Sequence, residues 1–373
     1  MINSEDKKTK FWKITPNLIN AFFLKKYPVS LTHFITEKCN ARCPHCFIDF
    51  DKDSNNELQL NEIEKIASST GNCLMNVSIT GGEPFLRQDI FEIVNIWHKN
   101  STAQHFTIPT NGSLPNKIEE FTLLAAKNNI PVSFCFSYDF IGEKHSDYRK
   151  IKDLHLKIIE SQKIIQSYKN KFNTTFQITL NPSNVDSAFE TYQYIRDILN
   201  IENISCVLFR GEEANKLNIN EKKLLAIEYE KIQKQINNDY DNGKIKGLIC
   251  KDFASLILNT KNKMYWQDIL KTFNDNSFIA PCMAGSLFGI IHPNGNVSPC
   301  ELLNDSFGNL KDYDYNFMNL WNAPQNKEIK KRIINSKCRC TFECVWTLNT
   351  FSQIKFYPKI IYNMLKNLNK WKN

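Results

Sequence analysis

Three thiols lie close together in Cys39-Asn40-Ala41-Arg42-Cys43-Pro44-His45-Cys46, directly after the apolar, β-branched run 31–36. A structural zinc site is closed by four protein ligands, so these cysteines would need a fourth ligand from elsewhere. Three cysteines can instead hold three irons of a cubane cluster and leave the fourth iron open to a small molecule. An iron–sulfur cluster is therefore the favoured interpretation, and a zinc loop is the alternative.

The rest of the composition is that of a large folded protein. A chain of 373 residues suggests two or three domains. Its apolar runs are far shorter than the ~20 residues of a membrane span, and its N-terminus lacks the apolar core of a secretory signal. The formal charge of +8 reflects a general richness in lysine, uneven along the chain, and no arginine–aromatic array accompanies it, so we expect no nucleic-acid partner. A cytoplasmic location is predicted.

The twelve cysteines are unevenly distributed. A chain of this size without an export signal is not a disulfide scaffold, and clustered cysteines in a reducing compartment indicate metal. Four cysteines stand alone, and the first three lie in or beside apolar segments, which predicts buried inert thiols: Cys73, Cys135, Cys206 and Cys250. The remaining five form a second, C-terminal group: Cys282, Cys300, Cys338, Cys340 and Cys344.

Strand and helix patterns alternate from residue 31 to residue 237. The predicted strands are 31–36, 76–80, 105–109, 132–137, 174–180 and 204–209, and the predicted helices are 60–69, 89–99, 116–128, 148–168, 187–199 and 221–237. Six strands that alternate with helices imply parallel pairing with right-handed crossovers. The pattern indicates an α/β barrel or an open doubly wound sheet.

Unusual residues follow the carboxyl ends of these strands, where chemistry is placed in both architectures. They are the cysteines, Gly81-Gly82-Glu83-Pro84, Thr110-Asn111-Gly112, Tyr138-Asp139, Asn181-Pro182 and Arg210-Gly211-Glu212. Each segment alone is explained by a turn or a helix cap. Their shared position on one edge favours a polar cofactor site.

The cysteine loop, with His45 as its aromatic residue, and Gly81-Gly82-Glu83-Pro84 together resemble the radical S-adenosylmethionine (SAM) enzymes, from about residue 30 to 235. The resemblance implies a partial (β/α)6 TIM-type barrel of parallel strands. It implies that Cys39, Cys43 and Cys46 bind a [4Fe–4S] cluster whose open iron is chelated by SAM. The implied SAM-binding residues are His45, Gly81, Gly82, Glu83 and Pro84 and, with looser motif support, Ser137, Asp139, Asn181 and Arg210.

The same resemblance implies the reaction. An electron from the cluster, delivered by a reducing partner such as flavodoxin or ferredoxin, splits a C–S bond of SAM. The products are methionine and a 5′-deoxyadenosyl radical that removes hydrogen from an unactivated carbon, while the protein orients the cofactor and keeps water away.

The C-terminal cysteines surround a predicted hairpin at 289–298, because Asn294-Gly295 between two apolar runs is a strong turn signal. With the segments 308–310 and 320–322, this arrangement resembles the SPASM/twitch auxiliary-cluster domain. Five cysteines are fewer than the two clusters of a full SPASM domain need, so the resemblance implies one auxiliary iron–sulfur cluster. The implied ligands are Cys282, Cys300 and two of Cys338, Cys340 and Cys344, with Cys340 and Cys344 favoured; zinc remains an alternative.

The expected domains are an N-terminal cap (1–28), the barrel core (29–238), a helical connector (239–280), the small cysteine-rich domain (281–346) and a basic, aromatic C-terminal helix (347–373). Five lysines and no acid follow Cys344. We expect this last helix to pack on the barrel, and peripheral contact with an anionic membrane is the alternative.

The predicted function is radical SAM catalysis on a small molecule or a sugar- or lipid-linked substrate. This preference rests on the single auxiliary cluster and on the short segment before the first strand, which leaves no room for a leader-binding domain. Maturation of a ribosomally synthesised peptide is the alternative, and a non-catalytic iron–sulfur electron carrier is the alternative of another class. The sequence identifies neither the substrate nor a catalytic residue.

Overall fold

The computed structural model describes residues 17, 19–46, 56–168, 171–246, 260 and 264–368. The side chains of residues 212, 213, 344, 367 and 368 are not described. Most of the predicted cap and part of the predicted connector, including Cys250, therefore lie outside the described residues.

One continuous sheet of nine strands organises the chain, in the order β6-β5-β4-β3-β2-β1-β7-β8-β9. Its strands are β1 (Ser30–Thr36), β2 (Asn76–Gly81), β3 (His105–Thr110), β4 (Val132–Ser137), β5 (Asn173–Leu180), β6 (Ile204–Leu208), β7 (Phe288–Ile291), β8 (Asn296–Ser298) and β9 (Gly308–Asn309). Strands β1 to β6 pair in parallel. The predicted α/β fold with a six-stranded parallel core is confirmed.

Helices connect the parallel strands. They are α1 (Leu60–Ser69), α2 (Ile90–Asn100), α3 (Pro115–Lys127), α4 (Glu143–Arg149), α5 (Leu154–Ser167), α6 (Ala188–Asp197), the short α7 (Glu212–Asn215), α8 (Ile219–Asp241) and α9 (Trp266–Asp275). The C-terminal part adds α10 (Phe317–Trp321), α11 (Pro324–Asn335), α12 (Glu343–Phe351) and α13 (Tyr357–Leu368). A π-helix at Asn20–Leu24 precedes the first strand.

The single helix predicted at 148–168 is wrong, because the structure has two helices there. Lys150 and Asp153 adopt left-handed backbone conformations, with φ of 59° and 56°, and such residues end a right-handed helix. Arg149, the last residue of α4, is buried. Tyr148 and Arg149, the last two residues of α4, belong to the site described below.

The cysteine-rich domain is not a separate body. Strand β7 pairs in parallel with β1, and its hairpin partner β8 pairs antiparallel with it. The barrel core and the C-terminal side chains Phe307, Phe317 and Trp321 belong to one continuous hydrophobic cluster. None of the helices in the described ranges combines the length and apolar character that crossing a bilayer requires.

Candidate functional site

The cysteine loop follows β1 at the carboxyl edge of the sheet, and Cys39, Cys43 and Cys46 are all half-buried. Side-chain amides hold it in place: Asn40 Nδ2 donates to Ser113 Oγ (2.8 Å), and Asn111 Nδ2 donates to Asn40 Oδ1 (2.9 Å). Burial raises the pKa of the Cys39 thiol to about 11 and also raises the pKa of Cys43. Because iron binds thiolates, loading a cluster here must release protons.

Gly81 and Gly82 lie against the backbone that leads into the cysteine loop. Gly82 N donates to Thr36 O (3.0 Å), and Glu83 N donates to Lys38 O (2.9 Å). A Cβ on Gly81 would lie 2.2 Å from Thr36 O, and one on Gly82 would lie 2.2 Å from Lys38 O. Only glycine permits this approach, so the two motifs form one unit in space.

Glu83 joins the ends of β2 and β3. Its buried carboxylate accepts hydrogen bonds from Thr110 Oγ1 (2.8 Å), Asn111 N (2.7 Å) and Phe85 N (3.1 Å). Burial raises the pKa of Glu83 to about 7. Pro84 begins a 3₁₀ turn directly after it. The three donors to the Glu83 carboxylate all belong to the protein itself. Contact of Gly82 and Glu83 with the SAM amino group therefore stays a prediction.

His45 belongs to a chain of side chains that crosses the site. Its Nδ1 lies 2.7 Å from Tyr148 Oη, and the two rings stack with centroids 5.4 Å apart. Tyr148 Oη donates to Asn181 Oδ1 (3.2 Å). Burial lowers the pKa of His45 to about 4, so the ring is neutral at neutral pH. Tyr148 thus links two predicted site residues, His45 on the cysteine loop and Asn181 after β5.

Asp139 is fully buried and forms an ion pair with Arg149, whose Nη2 lies 2.5 Å from Oδ2. The other oxygen, Oδ1, accepts from Thr179 N (2.9 Å). Burial alone would raise the pKa of Asp139, but Arg149, two nearby histidines and the hydrogen bond from Thr179 N together lower that pKa. Ser137, the last residue of β4, is half-buried two residues before Asp139.

Tyr148 and Arg149 are functional candidates that the sequence did not reveal. They lie in what reads as the first turn of an amphipathic helix, and no motif marks them. Arg149 also supplies the carbonyl that accepts from Arg42 N in the cysteine loop (3.0 Å). Arg149 therefore connects Asp139 to the loop that carries the three thiols.

Arg210 contacts residues that neighbour the C-terminal cysteines. It forms an ion pair with Glu301, next to Cys300, and its guanidinium lies 4.3 Å from the centre of the Phe342 ring. In this structure its described partners belong to the cysteine-rich domain. Its predicted contact with SAM stays a prediction.

The C-terminal thiols converge in a small apolar cluster behind β7. Cys282 and Cys300 are buried, and Cys338 and Cys340 pack against the same cluster. The neighbouring Cys282 thiol lowers the pKa of Cys338 to about 7. The structure thus places Cys338 beside the other three, whereas the sequence favoured Cys344, whose side chain lies outside the described residues.

Glu343 is a buried acid that the sequence did not single out, between Cys340 and Cys344. Neither of its carboxylate oxygens has a hydrogen-bond partner in the part of the chain that the structure describes. Burial raises the pKa of Glu343 to about 7, against the opposing charge of Arg210. Within the same described part, no group of three Cys, His, Asp or Glu side chains is placed so that it could hold a single metal ion.

The donor chemistry of both groups suits iron–sulfur clusters. All candidate ligands are cysteine sulfurs, the donors that such clusters require. The first group lies half-exposed at the sheet edge, next to the polar residues of the site, while the second lies in an apolar cluster. The residues therefore fit one cluster that is open to a small molecule and a second that is enclosed by protein.

Two protein-family profiles match the chain. The profile of the Radical SAM superfamily covers residues 34–195, and the profile of SPASM, an iron–sulfur cluster-binding domain, covers residues 282–344. Together they include every predicted cluster cysteine.

Similar curated proteins fall into two groups. GTP 3′,8-cyclase of Pasteurella multocida is 38% identical over 99 residues, which are 26% of this chain and 29% of the cyclase. The aligned part thus spans less than a third of that relative's length. AlbA of Bacillus subtilis, an antilisterial bacteriocin subtilosin biosynthesis protein, is 21% identical over 359 residues, which are 91% of this chain and 72% of AlbA.

Solved structures show the same fold. The anSMEcpe protein with bound AdoMet and a Kp18Cys peptide has a TM-score of 0.60 at 17% identity, covering 92% of this chain and 98% of that one. Streptococcus suis SuiB bound to its precursor peptide SuiA has a TM-score of 0.58 at 16% identity, covering 88% and 73%. At these identities the likeness establishes the architecture and not the substrate.

Proposed function

Because the chain belongs to the radical SAM superfamily and carries a C-terminal SPASM iron–sulfur domain, we propose that it is a radical SAM enzyme that modifies a peptide. The proposal replaces the preference for a small-molecule or sugar- or lipid-linked substrate, which rested on a cysteine count and on the length of the N-terminal segment. It also leaves aside the non-catalytic electron carrier, since the matched relatives are enzymes.

The observation that carries the proposal is the alignment with AlbA. It runs through both the barrel and the cysteine-rich domain and covers 91% of this chain. AlbA is named for the biosynthesis of a bacteriocin. The match with the cyclase covers only 26% of this chain, so it supports the shared radical chemistry rather than a shared substrate.

When bound, a [4Fe–4S] cluster and SAM would supply a 5′-deoxyadenosyl radical that removes a hydrogen atom from the peptide. Cys39, Cys43 and Cys46 would hold that cluster, and the glycine contact with Thr36 and Lys38 fixes their loop. The stacked His45 and Tyr148 offer a neutral aromatic surface beside it. We expect electrons to come from a partner such as flavodoxin or ferredoxin.

The radical chemistry is tested by anaerobic reconstitution with iron and sulfide, followed by dithionite and SAM. We expect 5′-deoxyadenosine from the wild type and none from Cys43→Ala, because one lost thiolate removes a ligand of the open cluster. Cys73→Ala is the matched control, since Cys73 is a buried thiol remote from both cysteine groups in sequence. A well-loaded wild type that makes no 5′-deoxyadenosine would disprove the enzyme function.

The substrate class is tested separately with deuterated probes. Short peptides encoded beside the gene, made with perdeuterated residues, should transfer deuterium to 5′-deoxyadenosine and lose mass. A panel of deuterated sugars and aminocyclitols is assayed in parallel. Transfer from a sugar or aminocyclitol, with none from the peptides, would overturn the peptide proposal and leave the radical chemistry intact.

A further inference from the structure

Large apolar side chains are exposed at both ends of the described chain. Near the N-terminus they include Phe23 (70% exposed) and Leu24 (54%), and near the C-terminus Ile361 (55%) and Leu365 (60%). We call the terminal face the set Ile19, Phe23, Leu24, Ile354, Ile361, Tyr362 and Leu365. Soluble proteins rarely leave contiguous apolar patches uncovered, and a larger patch marks an interaction site.

The two halves of the terminal face lie side by side. Phe22 contacts Tyr357 edge to face, with ring centroids 5.7 Å apart. The N-terminal half is held in a defined conformation, because the buried Asn20 side chain donates to Tyr27 O (2.7 Å) and accepts from Lys26 N (3.0 Å). The exposed rings therefore belong to an ordered surface.

Helix α13 is anchored so that its apolar stripe points outward. Ile360 is buried against the protein, and on the same side Lys359 Nζ donates to Met264 O (3.3 Å). Lys355 Nζ donates to Ile279 O (2.5 Å) just before the helix begins. Ile361 and Leu365, one turn apart, share an exposed side of the helix, which is about 100–140° around from Ile360.

The segments that carry this face have a positive formal charge. Residues 345–373 contain five lysines and no acid, and Lys25 and Lys26 directly follow the N-terminal half. An exposed apolar stripe with a lysine border is typical of helices that lie in the headgroup region of an anionic membrane. In a twofold pair of copies, by contrast, this positive face would meet itself.

We propose that the terminal face binds an anionic membrane surface, with Phe23, Ile361 and Leu365 inserted among the headgroups. The binding is peripheral, and it positions the enzyme beside a bilayer. The proposal does not depend on the identity of the substrate.

The test is co-sedimentation of the full-length, cluster-loaded protein with two vesicle types, phosphatidylcholine alone and an equal mixture with phosphatidylglycerol. We expect binding to the anionic vesicles that weakens as salt rises, and little binding to the neutral ones. Ile361→Ser/Leu365→Ser removes two exposed apolar side chains that would insert into the bilayer, and it should weaken binding by roughly tenfold or more.

The matched control is Leu156→Ser/Ile219→Ser, which removes two equally apolar side chains, 56% and 84% exposed, outside the terminal face. This control should bind as the wild type does, and both double variants should still form 5′-deoxyadenosine. Absence of binding to anionic vesicles, or equal weakening in both variants, would overturn the proposal. A dimer seen by light scattering that only Ile361→Ser/Leu365→Ser dissociates would also overturn it, since a second copy would then cover the face.

Discussion

At the scale of single residues, Gly82 shows how a short motif acts through its backbone. A Cβ there would lie 2.2 Å from Lys38 O and 2.8 Å from Glu37 O, and both atoms belong to the backbone that leads into Cys39. Neither backbone atom can move without moving the cysteine loop. We therefore expect Gly82→Ala to cost ~1–3 kcal/mol or more through overpacking, and to lose the iron of the first cluster.

Iron per chain and the thermal unfolding midpoint measure this effect. Gly71→Ala is the matched control, because Gly71 has a φ of +59° and no atom within 4 Å of an added Cβ. It carries the conformational cost of a left-handed alanine, about 1–2 kcal/mol, without a clash. Full iron loading in Gly82→Ala would contradict the idea that the glycine contact shapes the loop.

The sequence predicted which residues follow the strand ends better than it predicted the contacts that their side chains make. The cysteines, the glycine pair, Asp139 and Asn181 all follow strand ends, and that position is local information. The ion pair of Asp139 with Arg149 depends on where α4 lies in space, and no spacing rule encodes it. The same holds for Arg210, which also follows a strand end. Its described contacts are with the cysteine-rich domain, whose residues come nearly a hundred positions later in the sequence.

At the scale of elements, β6 and the cysteine-rich domain meet through Arg210. Its ion pair with Glu301 and its contact with the Phe342 ring hold two segments that flank Cys300 and Cys340. We predict that Arg210→Gln loosens both segments and lowers iron loading of the auxiliary cluster while the first cluster stays loaded. Iron analysis and electron paramagnetic resonance of each cluster measure the outcome.

Arg332→Gln is the matched control for this change. Arg332 forms an ion pair with Asp305 in the same domain, but its side chain is 62% exposed, and exposed ion pairs contribute little. We expect unchanged loading of both clusters. If Arg210→Gln instead loses SAM binding with both clusters intact, the predicted role of Arg210 at the SAM site is supported and the coupling role is not.

The elements themselves follow from local pattern. Strand β4 matches its predicted bounds, and the hairpin forms where Asn294-Gly295 predicts it, because alternation and turn chemistry are read over a few residues. The break between α4 and α5 was missed, because a lysine such as Lys150 rarely adopts the left-handed conformation and a single aspartate such as Asp153 is only a weak signal for it. The pairing of β7 with β1 could not be predicted from local pattern either, since some 250 residues separate the two strands.

At the scale of the whole molecule, that pairing joins the barrel strands and the hairpin of the cysteine-rich domain in one sheet. Leu31 pairs with Gly289 across β1 and β7, and a Cβ on Gly289 would lie 2.6 Å from the ring of Trp321. The buried Trp321 also donates its Nε1 to Lys26 O (3.2 Å), before the first strand. Three segments far apart in sequence therefore meet at one ring.

We predict that the cluster-loaded protein unfolds in a single transition, in which far-ultraviolet circular dichroism and the visible absorption of both clusters are lost together. Gly289→Ala should move this whole transition to lower temperature, because displacing Trp321 strains the sheet and the C-terminal domain at once. Gly243→Ala, with a φ of +71° and no atom within 4 Å of the added Cβ, should shift it much less. Two separated transitions in Gly289→Ala would show that the cysteine-rich domain folds independently of the barrel, against the continuity of the sheet.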